Sequence, residues 1–128
     1  MADVLVVEDD DDVAMLMELF LEEAGHHIRR ARDGEQGLAR LAEGLPDLVV
    51  MDVEMPILDG PSMAARMIVV DAGRESIPLL LVSGAVALPE IADRVGTPYA
   101  LAKPFDPTAL LALTARALRE RCPPRPHR

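Results

Sequence analysis

Residues 4–25 read Val-Leu-Val-Val-Glu-Asp-Asp-Asp-Asp-Val-Ala-Met-Leu-Met-Glu-Leu-Phe-Leu-Glu-Glu-Ala-Gly, and this stretch decides the fold. Val4-Leu5-Val6-Val7 is apolar at every position and mostly β-branched, the pattern of a strand covered on both faces. The acidic run from Glu8 to Asp12 ends it. From Val13 the apolar residues Leu16, Met17, Phe20 and Ala24 recur at helical spacing. Carboxylates crowd the first turn, where they favour the positive end of a helix, and Gly25 supplies a stop. A buried strand followed at once by a helix points to α/β architecture.

The same alternation continues along the chain. A weak strand is expected around Ile28, a helix from about Gly34 to Leu45, and a strong strand at Leu48-Val49-Val50-Met51, entered through Pro46-Asp47. A helix carrying Met63, Ala64, Met67 and Ile68 leads to a further strong strand, Leu79-Leu80-Leu81-Val82. A weaker strand follows at Tyr99 to Ala102, and a last helix begins after Pro107 and runs to about Arg121. Right-handed crossovers then imply a doubly wound, five-stranded parallel sheet with helices on both faces. The methionines at helical spacing are expected to fill core. Between Gly84 and Tyr99 the chain holds Pro89, Gly96 and Pro98, so the helix there is expected to be short or irregular. Pro123-Pro124-Arg125-Pro126 cannot continue a helix. One domain over 1–122 and a flexible Pro/Arg tail over 123–128 are expected.

At 128 residues, half of them hydrophobic, the chain can bury one ordinary core. A net charge of −9 opposes binding of nucleic acid through the surface as a whole, and one Tyr, two Phe and no Trp leave little platform for stacked bases. A protein partner is expected instead. No basic leader or long apolar run is visible, so membrane insertion is not expected and a cytoplasmic location is. Cys122 is the single cysteine and has no partner for an internal disulfide. His26 and His27 lie far from any second metal-ligand set and are read as surface or cap residues. Arg125 and Arg128 are given no role.

Open parallel sheets bind ligands at the carboxyl ends of their strands, beside the point where strand order reverses. The expected strand ends carry Glu8 and Asp9, then Asp52, then Ser83-Gly84, then Lys103-Pro104. Converging carboxylates repel one another and raise their own pKa values unless a cation is present. An all-oxygen set favours a hard ion, so Mg²⁺ is the expected cofactor. A carboxylate beside such an ion can attack phosphorus, with the Lys103 ammonium and the Ser83 hydroxyl stabilising the transferring oxygens. Asp11 and Asp12 are read only as solvated helix-terminal residues.

Four blocks carry a family resemblance: Val-Val-Glu-Asp-Asp (6–10), Met-Asp-Val-Glu-Met-Pro-Ile-Leu-Asp-Gly (51–60), Val-Ser-Gly-Ala (82–85) and Ala-Lys-Pro-Phe (102–105). Together, in this order and each at an expected strand end, they resemble the signature blocks of two-component response-regulator receivers, over nearly the whole chain. The resemblance implies the chemotaxis-regulator-like, flavodoxin-like strand order 2-1-3-4-5. It implies Asp52 as the phosphoacceptor, Asp9 as a direct Mg²⁺ ligand, Glu8 as a water-mediated one, and the Glu54 backbone carbonyl as a further ligand. Ser83 and Lys103 would contact the phosphoryl group, Pro56 and Gly60 would shape the pocket, and Lys103-Pro104 would be cis. The donor would be a phosphohistidine on a sensor kinase or a histidine phosphotransfer protein, and a downstream protein the target. Such a receiver is no enzyme acting on a separate substrate; it assists its own Mg²⁺-dependent phosphorylation and dephosphorylation.

The sequence departs from the family at the switch aromatic, which usually stands three residues before the lysine, where this chain has Ala100. Tyr99 is one place earlier and should face the other side of the sheet. This departure keeps a pseudo-receiver, working without phosphate, as the alternative. A phosphatase similar to the haloacid dehalogenase type would share the aspartyl phosphate and Mg²⁺. Its Asp-x-Asp, however, follows the first strand, whereas the nearest match here is Asp52-Val53-Glu54, without a cap domain. A dinucleotide-binding fold fails because acids stand after the first strand where glycines would cradle phosphate.

Overall fold

Each apolar run read as a strand pairs in parallel with its neighbours, in the order β2-β1-β3-β4-β5. The computed structural model describes residues 2–52, 77–84 and 88–124. The elements run β1 (Asp3–Val7), α1 (Asp11–Glu23), β2 (His27–Ala31), α2 (Gly34–Glu43), β3 (Leu48–Asp52), β4 (Leu79–Ser83), α3 (Leu88–Val95), β5 (Tyr99–Ala102) and α4 (Pro107–Glu120). The helix expected around Met63 to Ile68 lies outside the described residues, as do Glu54, Pro56 and Gly60. The chain before β1 pairs with the start of β2, where Ala2 accepts from the His27 N–H. The Nδ1 of His26 accepts from the Ala2 N–H, and His27 is exposed, so both histidines act at the strand end.

Successive strand residues feed opposite faces, as the pleat requires. Leu5, Val7, Val49, Met51, Leu79 and Leu81 meet Leu41 of α2 and Leu88, Ala92 and Val95 of α3. Val4, Val6, Leu48, Val50, Leu80 and Val82 meet Met17 and Leu21 of α1 and Leu110 and Ala117 of α4. Every residue of β3 and β4 is buried. That burial is why those strands read as unbroken apolar runs rather than as alternations. Tyr99 is fully buried on the α1/α4 face, while Ala100 packs on the opposite face. The one-residue offset therefore does send the aromatic away from the α3 side.

Helix starts follow local chemistry. Asp10, Asp33 and Asp106 are N-caps whose carboxylates accept backbone N–H bonds from the first turns of α1, α2 and α4. Gly25, with φ of +95°, turns the chain after α1 in a conformation open to glycine at little cost. α3 spans eight residues, short as Pro89 and Gly96 suggest.

Three expectations need correction. The face of α1 that meets the sheet is Ala14, Met17 and Leu21, with Phe20 half-buried against the same cluster, whereas Leu16 and Ala24 lie off it. Ala24 is exposed and Leu16 is 48 % exposed. Met15, at 61 % exposure, is not core filling either, unlike Met17 and Met51. The chain also does not leave the body at Pro123, since Pro123 is half-buried and Pro124 buried. Just before it, the Cys122 N–H donates to the Tyr99 hydroxyl, which in turn donates to Glu120 Oε1.

Thr114 lies on the sheet-facing side of α4 with Leu110 and Ala117, and its buried hydroxyl has no hydrogen-bond partner among the described residues. A desolvated hydroxyl without a partner costs about 1–3 kcal/mol, and valine matches threonine in shape. Thr114→Val is expected to raise stability by about 1 kcal/mol in urea unfolding with an unchanged slope. A loss of stability would show that the hydroxyl is solvated through a buried water.

Candidate functional site

The carboxyl ends of β1, β3, β4 and β5 bring the expected residues onto one edge of the sheet. Asp52 ends β3 and Ser83 ends β4, at 7 % and 1 % exposure. The Lys103 N–H donates to the Ser83 carbonyl at 2.9 Å, which carries the β4–β5 pairing one residue past β5. The lysine side chain therefore starts beside the end of β4 and reaches across the pocket. Its Nζ donates to Asp52 Oδ2 at 3.1 Å and to Glu8 Oε1 at 2.6 Å. The Lys103-Pro104 peptide is cis, as the resemblance implied.

Glu8 follows β1 and its side chain is fully covered. Its N–H donates to the Ala31 carbonyl at 3.0 Å, extending the pairing with β2, and the Asp10 N–H donates to its Oε2 at 3.3 Å. Asp9 is exposed. Glu8, Asp9 and Asp52 each offer an oxygen, all within 4.8 Å of one another, the one such group among the described residues. Glu54, placed with them by the sequence reading, is outside the described residues.

The charges are unbalanced, with three carboxylates facing one ammonium. Burial, reinforced by the negative charge of Asp52, pushes the Glu8 carboxyl up to about 7, although Lys103 works against the shift. For Lys103, burial favours the neutral amine, but its bonds to Glu8 and Asp52 outweigh this and hold its pKa above the ordinary value. Hard oxygen donors, excess negative charge and one exposed carboxylate suit a small divalent cation that retains water.

Sequence reasoning did not anticipate that Lys103 is already paired with Glu8, nor that Asp10 touches Glu8 through its backbone. A contact across 95 residues has no local signal. The Asp10 contact had one, because an N-cap immediately after the acidic pair places its N–H in the same turn.

An acidic, oxygen-lined pocket with a tethered lysine at the switch point of a 2-1-3-4-5 sheet defines a signalling-type α/β domain rather than a dinucleotide binder. Residues 4–115 match the family model described as the response regulator receiver domain. The chain belongs to that family, as a receiver domain of two-component response regulators. It is 35 % identical to the transcriptional regulatory protein PrrA of Mycobacterium tuberculosis over 92 % of this chain and 50 % of that protein. It is 34 % identical to protein Rrf1 of Nitratidesulfovibrio vulgaris, over 91 % of this chain and 83 % of that one. A crystallised response regulator from Chloroflexus aurantiacus superposes with a TM-score of 0.85 at 32 % identity, covering 92 % of this chain and 98 % of the other. The chain spans about half the length of the first curated relatives it matches. Among the described residues no helix is long and apolar enough to cross a membrane.

Proposed function

We propose that the chain is a phosphorylation-driven switch in which Asp52 accepts a phosphoryl group from a phosphohistidine donor and the altered domain controls a protein partner. The observation that carries this reading is the Lys103 ammonium bridging Asp52 and Glu8 beside the exposed Asp9. An Asp52 carboxylate oxygen attacks phosphorus, the N–P bond of the donor breaks, and the imidazole leaves with a proton, giving an aspartyl phosphate. Lys103 and Ser83 hold the phosphoryl oxygens, which is where positioning and electrostatics supply most of the rate.

Glu8, Asp9 and Asp52, with the Glu54 carbonyl, are the residues proposed to hold Mg²⁺. Bound there, Mg²⁺ offsets the charge that grows on the phosphoryl oxygens. Water attack on the acyl phosphate resets the switch, so the domain assists its own cycle without turning over a separate substrate, in the cytoplasm where such donors work. The −9 net charge argues for a protein output and against direct nucleic-acid binding by this domain.

Beryllofluoride, which mimics the bound phosphoryl group, provides the test. With Mg²⁺ it is expected to raise the melting temperature by roughly 5 °C or more, and EDTA or Asp52→Ala is expected to abolish the rise. A rise that survives Asp52→Ala would remove Asp52 from the role. No rise at all, with Mg²⁺ bound, would favour the pseudo-receiver, which Ala100 on the α3 face otherwise supports.

A phosphohistidine must approach through the open side of the pocket. Next to the pocket, with Lys103 shared between the two, Val13, Leu16 and Phe20 of α1 and Pro104, Phe105 and Pro107 line an apolar recess of about 470 Å³ suited to seat the donor protein. Leu16→Glu is expected to slow transfer from a phosphohistidine protein by about tenfold or more, because the charge must be desolvated on docking. Labelling by acetyl phosphate should be unchanged. Equal slowing with both donors would place the effect in the pocket itself.

A further inference from the structure

Asp10 occupies an unusual place between the helix and the pocket. Its side-chain Oδ1 accepts from the Asp12 N–H at 3.0 Å and the Val13 N–H at 3.2 Å, and its carbonyl accepts from the Ala14 N–H at 2.9 Å. These bonds fix the β1–α1 turn with Asp10 in extended conformation, φ −81° and ψ 111°. In that turn the Asp10 N–H meets Glu8 Oε2 at 3.3 Å, while Glu8 Oε1 receives Lys103 Nζ. Both oxygens of the buried carboxylate thus have a donor. One comes from β5 across the pocket, and the other is set by the cap of α1.

We propose that Asp10 is a positioning residue for the acidic pocket: its capping carboxylate holds the turn whose N–H orients Glu8 and keeps Asp9 beside Asp52. The inference rests on the receiver reading of the site. It assigns Asp10 a role through geometry and not through its charge, which lies exposed outside the set of three converging carboxylates. Partners that orient metal-binding side chains typically change metal affinity tenfold or more when removed. A plain helix cap changes stability and leaves affinity alone. The two roles therefore separate experimentally.

The test is calorimetric titration of the full chain with MgCl₂ at fixed ionic strength, well below the melting temperature of each variant. Asp10→Ala is expected to weaken Mg²⁺ binding about tenfold, whereas Asp10→Asn, which keeps a capping oxygen and loses the charge, should stay within about twofold of wild type. Asp10→Gly, gentler on the cap, serves if the alanine variant does not fold, with the same weakening expected. Wild-type affinity in a folded alanine or glycine variant overturns the proposal and leaves Asp10 as a cap alone. Equal weakening in Asp10→Asn overturns it in favour of bulk electrostatics. If the wild-type chain binds no Mg²⁺, the receiver reading of the pocket fails first and takes this inference with it.

Discussion

At pH 8 without divalent metal, Lys103→Met lowers the stability of the fold by about 3 kcal/mol, the usual scale for leaving a buried ion pair half-removed. The variant strips the ammonium from Glu8 and Asp52, leaving a fully covered carboxylate beside the Asp10 N–H and the repelling Asp52. The loss should shrink as pH falls. Glu8 is raised from an ordinary 4.5 to about 7 in the folded chain, so folding favours its protonated form. The stabilisation from that proton is complete below pH 4.5 and disappears as pH rises through 7. Removing Lys103 takes away a group that lowers the Glu8 pKa and so widens this window upward. Near pH 5.5 the variant should approach wild type, and urea unfolding at both pH values checks this. Methionine keeps the apolar stem of the side chain, so a pH-independent loss would assign the effect to packing. The same variant should slow labelling by acetyl phosphate by about a hundredfold or more, since a preorganised charge at the transferring oxygens is lost.

Asp9→Asn has the other large effect, on metal. Asp9 is the exposed member of the group Glu8, Asp9 and Asp52. A direct carboxylate ligand to Mg²⁺ contributes charge that a neutral amide cannot replace, so affinity is expected to fall about a hundredfold. The metal-free fold should be no less stable, because one of the three mutually repelling carboxylates has gone. Titration with MgCl₂ and a melt in EDTA measure the two halves separately. Unchanged affinity would place the ion elsewhere.

Much of this was legible in the sequence, for definite reasons. β1, β3 and β4 are buried on both faces and so are apolar at nearly every position, a pattern hard to confuse with an amphipathic helix. β2 was weak because it lies at the sheet edge. Its arginines work on the surface: Arg29 donates to the Arg40 and Gly44 carbonyls at the end of α2, and Arg30 pairs with Glu18. The face of α1 was misread because Val13 to Leu21 is apolar at all positions but Glu18. Ala14, Met17 and Leu21 fit a helical period as well as Leu16 and Ala24 with Phe20 do, and spacing alone cannot choose between them. Tyr99 was placed on the right face by the alternation of β5, but its bonds to Glu120 and Cys122 depend on where α4 ends. At the pocket, residue types at strand ends picked out Glu8, Asp9, Asp52, Ser83 and Lys103, which the fold brings to one edge of the sheet. Which oxygen the ammonium takes follows only from three-dimensional approach.

The central claim, that Asp52 accepts phosphate with help from its neighbours and a hard cation, is tested most directly by intact mass. Wild type, Asp52→Asn and an EDTA-treated sample are compared after incubation with acetyl phosphate and Mg²⁺. The predicted result is a single added phosphoryl group on wild type, absent from the other two. An adduct on Asp52→Asn, or none on a wild type shown to bind Mg²⁺, would contradict it.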